Sequence, residues 1–136
     1  MNFQKIKTFF SILLTFLILD YILLTKVFRT MWVEQIAKIQ NTSTDEVQFR
    51  PLIAGTLTYL LMTTAVFLLV SESDLNRSPS KLSTLQKGAF LGLVMYGVFD
   101  GTNYVLFKDY ELKTVAIDIM CGIFVTTCAT FVGSTS

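Results

Sequence analysis

Four long apolar segments dominate this chain, and their length limits the folds available to it. They cover residues 6–25, 51–70, 85–107 and 112–132. Each has about 20 residues, which at a helical rise of about 1.5 Å per residue spans the ~30 Å hydrocarbon layer of a bilayer. Backbone N–H and C=O groups find no water in that layer, and the alternating pattern of a barrel strand is absent from the sequence. The segments are therefore predicted to be transmembrane helices.

A water-soluble four-helix bundle is the alternative for helices of this length. Each helix of such a bundle carries a polar outer stripe, whereas the runs FFSILLTFLIL and YLLMTTAVFLLV carry none. The composition, 52% hydrophobic and 15% charged residues, also favours a membrane protein. The sequence predicts an all-α integral membrane bundle, with one multi-pass membrane domain over residues 1–136 and the lipid bilayer as its partner.

The link between the first and second spans is long enough to form an element of its own. Apolar residues recur in it at steps of three and four, namely Phe28, Met31, Trp32, Ile36 and Ile39. This spacing predicts an amphipathic helix over about residues 27–40 that lies in the membrane interface. A short helix that caps the bundle explains the same pattern equally well.

The link before the third span is polar and ends in a helix-start signal. The run SESDLNRSPSKLS predicts a turn in water. Ser83, followed three residues later by Gln86, predicts a capping box at the start of the third span. The side of the membrane that holds the termini carries five basic residues and the other side six. The positive-inside rule therefore assigns neither orientation.

Three aspartates lie inside the predicted spans, all near the membrane face that carries the first and third links. Helical rise places Asp20 about 9 Å, Asp100 about 12 Å and Asp118 about 7–8 Å from that face. A carboxylate facing lipid at this depth costs on the order of several kcal/mol. We therefore expect the three carboxyl groups to turn inward and meet in one layer of the bundle.

Helical periodicity adds further residues to the inward faces of the last two spans. One face of the third span carries Gly88, Gly92, Tyr96, Asp100 and Asn103. One face of the fourth carries Asp118, Gly122, Thr126, Ala129 and Gly133. Small residues on facing helices let the two backbones approach closely. The pattern predicts a tight hairpin of these spans, packed through Gly88, Gly92, Gly122, Ala129 and Gly133.

The acidic layer is the candidate functional site. Three ionised aspartates cannot share a medium of low dielectric constant unaided, so either some are protonated or cations, a metal ion among them, neutralise them. The candidate ligand- or ion-binding residues are Asp20, Asp100, Asn103 and Asp118, with Tyr96 and Thr102 as support and Lys108 as a counter-ion. The ligand would be a proton, a small cation or a polar head group. The alternative is a structural or assembly subunit whose polar cluster only fixes helix packing.

Several other classes of function are disfavoured. The chain has no histidine and a net charge of +1, so it lacks the commonest general base and a basic surface for nucleic acid. The sequence contains neither a GK[ST] phosphate loop nor an obvious nucleophile, and it predicts no cofactor. This leans against an enzyme. Four helices are too few to surround a pathway, so transport would require a homo-oligomer or a larger membrane assembly.

One stretch of the chain carries a recognisable motif. The run MYGVFDGTNYVLFKDYELKTVAIDIMCGIFVTT resembles the pattern YGxYDLTNxATLKxWxxxxxxxDxxWGxxL of an uncharacterised bacterial membrane-protein family, domain of unknown function 2177. The matching residues are Tyr96, Gly97, Asp100, Thr102, Asn103, Lys108, Asp118 and Gly122, together with Leu19–Asp20 near the start. Tyr110 and Cys121 stand where the family has tryptophan. The resemblance implies four transmembrane helices and no known activity. A bacterial inner membrane and a viral or host membrane are both compatible with it.

Overall fold

Helices make up the regular structure of this protein. The computed structural model describes residues 2–50, 52–75 and 80–135, and within these ranges it contains five α-helices and no strand. The helices are α1 (Phe3–Ile22), α2 (Arg29–Gln40), α3 (Ile53–Leu75), α4 (Lys81–Leu106) and α5 (Leu112–Thr135). The all-α prediction is confirmed.

Four of these helices are long and apolar enough to cross a membrane. The qualifying stretches are Phe3–Val27, Ile53–Glu72, Leu82–Leu106 and Leu112–Thr135. Large apolar side chains cover their outer surfaces; Leu61, for example, is 73% exposed and Val105 is 82% exposed. Such a surface suits acyl chains and not water. The prediction of an integral membrane protein with four spans agrees with these helices, while the extent of the single domain over residues 1–136 stays a prediction.

The start of α4 differs from the predicted boundary. The Ser83 amide donates to Ser80 Oγ at 3.1 Å, so Ser80 is the N-cap of α4 and the capping box predicted at Ser83 is wrong. The helix gains further backbone hydrogen bonds by starting one turn earlier, among them Thr84 N–H to Ser80 O at 3.2 Å. The centre of the predicted polar turn, residues 76–79, lies outside the described residues.

The first helix widens beyond its α-helical part. Leu23–Val27 forms a π-helical turn, in which the Phe28 amide donates to the Leu23 carbonyl at 2.8 Å. This turn begins three residues after Asp20. Single π-helical turns interrupt the regular i→i−4 hydrogen bonding and re-aim the side chains around them. No pattern in the sequence predicts this turn.

The fifth helix lies at the centre of the bundle, since it packs against each of the other four helices. Its buried residues are Thr114, Asp118, Gly122, Val125, Thr126, Ala129, Thr130 and Gly133. They recur mostly at steps of three and four along one side of the helix. A buried stripe of small and polar residues thus runs along almost the whole of α5.

The α4–α5 hairpin is tight because glycine leaves room for the neighbouring helix. A Cβ atom built on Gly92 would lie 2.8 Å from the Gly122 carbonyl oxygen. A Cβ atom on Gly88 would overlap the side chain of Thr130, and one on Gly122 would overlap the ring of Tyr96. These three glycines therefore bring the backbones of α4 and α5 together.

An apolar core fills the part of the bundle nearer the termini. It consists of Ile12, Phe16, Val66, Val70, Val125 and Ala129 from α1, α3 and α5. Gly133 packs here and not in the hairpin, because a Cβ atom on it would lie 2.8 Å from Ile12 Cδ1 and 3.3 Å from Val70 Cγ2. The small residues of α5 thus serve two interfaces.

The short helix α2 occupies the link in which an amphipathic helix was predicted. It ends at Asn41, which adopts a left-handed conformation with φ of 54°, and the Asn41 amide donates to the Lys38 carbonyl at 3.2 Å. The side chains of Gln35 and Ala37 are buried against the rest of the protein. The location of α2 in the membrane interface stays a prediction.

Candidate functional site

The three aspartates of the spans lie together inside the bundle. Asp118 of α5 is within hydrogen-bonding reach of Asp100 of α4 and close to Asp20 of α1. Asp100 is fully buried, Asp118 is nearly so, and Asp20 is half-buried. We call these three residues the acidic cluster. Its members come from three helices, so the cluster forms only when the bundle is assembled.

Asp100 is the most enclosed member, and only one of its oxygens has a partner. The Tyr110 hydroxyl donates to Asp100 Oδ1 at 2.7 Å. The second oxygen, Oδ2, is buried and has no hydrogen-bond partner among the described residues. A buried polar atom without a partner costs about 1–3 kcal/mol. The neighbouring carboxyl group of Asp118 cannot donate to it unless a proton is present, because an ionised carboxylate only accepts.

Asp20 is held by tyrosines from two other helices. The Tyr59 hydroxyl of α3 donates to Asp20 Oδ2 at 2.7 Å. The Tyr96 hydroxyl of α4 also lies within hydrogen-bonding reach of Asp20. Because the Tyr96 ring rests against Gly122, the close packing of the hairpin helps to aim this hydroxyl. All four long helices therefore contribute a side chain to the cluster and its partners.

The remaining predicted site residues lie at different distances from the cluster. Asn103 is half-buried and within hydrogen-bonding reach of Tyr110, next to Asp100. Thr102 is exposed, because it follows Asp100 by two residues and so points to the opposite side of α4. Lys108 is also exposed, and none of the described ion pairs joins it to an aspartate. Its counter-ion role and the support from Thr102 stay predictions.

The surroundings of the cluster contain neither a salt bridge nor a preformed metal site in the described ranges. The ion pair found in the described ranges joins Lys38 to Glu111 at the protein surface. No group of three or more His, Cys, Asp or Glu side chains among residues 2–50, 52–75 and 80–135 is arranged to hold a metal ion. The hydrogen-bond donors to the buried carboxyl groups are tyrosine hydroxyls.

Tyr110 is a residue whose role the sequence analysis missed. It lies in the loop of residues 107–111 between α4 and α5, is only 4% exposed, and holds Asp100. Burial, followed by the hydrogen bond to Asp100, raises the pKa of the Tyr110 hydroxyl, so the hydroxyl stays a neutral donor at physiological pH. Its signal in the sequence was the substitution of tyrosine for the tryptophan of the family pattern.

Gln35 is the second missed residue, and it ties α2 to that loop. Its Nε2 donates to the Asp109 carbonyl at 2.9 Å, and its Oε1 accepts from the Glu111 amide and from Thr114 Oγ1, each at 2.9 Å. The side chain is 2% exposed. Gln35 therefore forms hydrogen bonds with the backbone on both sides of Tyr110. Its signal was its position three residues after Trp32, on the apolar face of the predicted amphipathic helix.

An exposed ion pair reinforces the contact between α2 and the loop. Lys38 of α2 donates to Glu111 Oε1. The Glu111 carboxylate raises the pKa of Lys38, and the Lys38 ammonium lowers the pKa of Glu111. Because both side chains lie in water, this pair contributes less than the buried amide of Gln35.

Comparison with known proteins assigns a family. Searches of the curated proteins and of the solved structures found no match. The family model described as "Predicted membrane protein (DUF2177)" matches residues 5–135. The match covers nearly the whole chain, includes the acidic cluster, and agrees with the motif around Asp100 and Asp118. The chain therefore belongs to the DUF2177 family of predicted membrane proteins.

Proposed function

We propose that this small multi-pass membrane protein binds a proton between Asp100 and Asp118, inside its helix bundle. The observation that carries the proposal is the buried, unpartnered Oδ2 of Asp100 beside the carboxyl group of Asp118. Two adjacent carboxylates in a medium of low dielectric constant cannot both stay ionised. When the two carboxyl groups share one proton, one of them donates a hydrogen bond and the other accepts it. Oδ2 of Asp100 thereby gains a partner.

A proton suits this pair better than a small metal cation does. Calcium takes six to eight oxygen ligands, and magnesium demands a near-octahedral set. One oxygen of Asp20 already accepts a hydrogen bond from Tyr59, and one oxygen of Asp100 accepts a hydrogen bond from Tyr110. A proton needs only two oxygen atoms, one from each member of the pair. The proposal covers binding and release of the proton, whereas transport across the bilayer would require a second access route.

The interhelical hydrogen bonds favour a second candidate, a structural or assembly subunit. The bond from Tyr59 to Asp20 joins α3 to α1, and the bond from Tyr110 to Asp100 ties the loop to α4. Bonds of this kind inside a membrane contribute about 1 kcal/mol each. In this role the cluster only fixes the packing of the helices, and isosteric amides would replace the carboxyl groups without loss.

Infrared difference spectroscopy of the purified protein in lipid nanodiscs tests the proposal. A protonated carboxyl group in an apolar site gives its own C=O stretching band, which an ionised carboxylate lacks. We expect this band in the wild type at neutral pH and a shift of its frequency in both Asp100→Asn and Asp118→Asn, because the remaining carboxyl group no longer shares a proton with a second one. Asp45→Asn, which changes an exposed aspartate of the α2–α3 link, is the matched control and retains the band.

The same spectra distinguish the two candidate functions. A wild type without the band at neutral pH, or a band that keeps its wild-type frequency in both Asn variants, contradicts proton binding by this pair. Variants that fold and assemble like the wild type, in the absence of any such band, support the structural subunit.

A further inference from the structure

The Tyr110 side chain connects the acidic cluster to the surface on the side of α2. A groove of about 570 Å³ lies beside the α4–α5 loop, and Tyr110 is part of its lining. The other lining residues are Lys38, Tyr104, Lys108, Asp109, Glu111 and Leu112. Four of these carry charges, so the groove belongs to the aqueous side of the membrane surface. The hydroxyl of Tyr110 donates to the buried Asp100, so one residue both lines the groove and bonds a member of the acidic cluster.

Gln35 fixes the loop that carries Tyr110. The Gln35 amide bonds the backbone at Asp109 and at Glu111, the two residues that flank Tyr110. The Tyr110 amide in addition donates to the Phe107 carbonyl at 2.9 Å. With the backbone held on both sides, the phenol has little freedom to leave Asp100. The position of Tyr110 thus depends on the docking of α2.

Toward the termini from the cluster lie the ring of Tyr96, two buried threonine hydroxyls and an apolar core. The Tyr96 ring rests on Gly122. Further toward the termini, the buried hydroxyls of Thr63 and Thr126 have no hydrogen-bond partner. Beside them lies the apolar core around Phe16 and Val125. Neither of these two hydroxyls continues a chain of hydrogen bonds from the cluster among the described residues.

We propose that protons reach the Asp100–Asp118 pair from the membrane face that carries α2 and the α4–α5 loop, through the hydroxyl of Tyr110, and that Gln35 is the positioning residue that holds Tyr110 over Asp100. This inference rests on the proposed proton-binding function and adds the side of entry, the conducting group and its support.

The transfer involves one proton and leaves Tyr110 unchanged. The O–H bond of Tyr110 breaks as an O–H bond forms at Asp100 Oδ1, and a hydronium ion in the groove returns a proton to the phenol oxygen and becomes water. Rotation of the Asp100 carboxyl group then brings the proton toward Asp118, and release follows the same steps in reverse.

The other titratable groups facing the pair are Asp20, Tyr59, Tyr96 and Cys121. Those of the groove are Lys38, Lys108, Asp109, Tyr104 and Glu111.

Time-resolved infrared spectroscopy after a rapid pH drop, from an alkaline pH at which the pair has released its proton to neutral pH, tests the conducting group. In Tyr110→Phe we expect the carboxyl band to reach its wild-type amplitude about tenfold more slowly, because the proton loses its donor–acceptor group. Tyr104→Phe is the matched control, since Tyr104 lines the same groove without bonding an aspartate in the described structure, and it keeps the wild-type rate. An unchanged or faster rate in Tyr110→Phe overturns the proposal.

A second pair of variants tests the positioning role of Gln35. Gln35→Ala should slow the appearance of the band several-fold and leave its final amplitude unchanged, an effect on rate that a purely structural role would not produce. Gln40→Ala is the control, because Gln40 lies on the same helix and also makes two bonds to backbone, both to Gln48. Equal rates in Gln35→Ala and Gln40→Ala contradict the positioning role. If Gln35→Ala fails to fold, Gln35→Glu, which keeps the acceptor for Glu111 and Thr114, replaces it.

The side of entry is tested with the wild-type protein in liposomes. The orientation of each preparation is scored by protease access to a tag at the N-terminus, which lies on the side opposite to α2. After equilibration at the alkaline pH, a drop of the external pH to neutral should load only the molecules whose α2 face is outward. Immediate loading of the opposite orientation overturns the route, while the band itself still supports proton binding. The absence of any carboxyl band in the wild type overturns the proposed function, and this inference with it.

Discussion

The two ends of the helix bundle are held together by different forces. Near the termini, Ile12, Phe16, Val66 and Val125 form an apolar core with small residues of α5. Near α2, the helices and the α4–α5 loop are joined by directional hydrogen bonds from Gln35, Tyr59 and Tyr110.

This difference follows from the solvent. Lipid tails are as apolar as a leucine side chain, so helix association in a membrane depends on close packing and on interhelical hydrogen bonds. Packing of apolar side chains is insensitive to pH, whereas carboxyl groups respond to it. The buried carboxyl groups, and the pH dependence expected of them, therefore lie at the α2 end of the bundle.

The largest effect on stability should come from the α2 end, at Gln35. Gln35→Ala removes three hydrogen bonds and leaves two backbone groups and one hydroxyl without their partner. We expect a loss of about 3 kcal/mol in the free energy of unfolding, measured in mixed detergent micelles. Gln40→Ala, on the exposed part of the same helix, should cost less than about 1 kcal/mol. Equal losses in the free energy of unfolding for Gln35→Ala and Gln40→Ala would contradict a particular contribution of α2 docking to stability.

A smaller effect is expected at the contact between the hairpin and the cluster. Gly122→Ala would force its Cβ atom into the Tyr96 ring and should cost about 2 kcal/mol, as overpacked cores do. Gly97→Ala is the matched control on α4, because no atom lies within 4 Å of the added carbon. Alanine there should be neutral or stabilising by up to about 1 kcal/mol, since it is the better helix former. A Gly122→Ala variant as stable as Gly97→Ala would contradict the close packing described for the hairpin.

The smallest effect should come from the exposed pair of Lys38 and Glu111. Lys38 lowers the pKa of Glu111, so the stabilisation is present above the ordinary glutamate value of 4.5 and is lost as the pH falls through the lower value of the folded state. Glu111 raises the pKa of Lys38, so the pair weakens at the alkaline end, as the pH rises above 10.5.

The measurement for this pair is the thermal unfolding midpoint of the wild type minus that of Glu111→Gln as a function of pH. We expect a small difference near neutral pH that disappears toward acid and in high salt. Asp45→Asn, an exposed acid outside the recorded ion pairs, serves as the control. A difference that persists at acid pH would assign the effect to something other than this ion pair.

Much of the fold could be predicted from the sequence because length and hydropathy alone define membrane spans. The exact helix ends could not, since Ser80 and Ser83 offer the same capping group and the choice depends on the turn before α4. The π-helical turn after Asp20 likewise has no residue signature in the chain.

The acidic cluster could be located from depth and helical periodicity, which place Asp20, Asp100 and Asp118 in one layer. The same periodicity argues against a supporting role of Thr102 in the site, because Thr102 lies two residues from Asp100 and so on the other side of α4. The bonds of Gln35 to residues more than 70 positions away depend on how α2 docks, which no local pattern reveals.

The sharing of a proton by Asp100 and Asp118 is tested by the infrared spectrum of wild-type protein with ¹³C-labelled aspartate carboxyl groups. We expect a band of an un-ionised acid at neutral pH that shifts with the ¹³C label and in heavy water, and whose frequency changes in Asp100→Asn. A spectrum in which all labelled aspartates are ionised at neutral pH would contradict it.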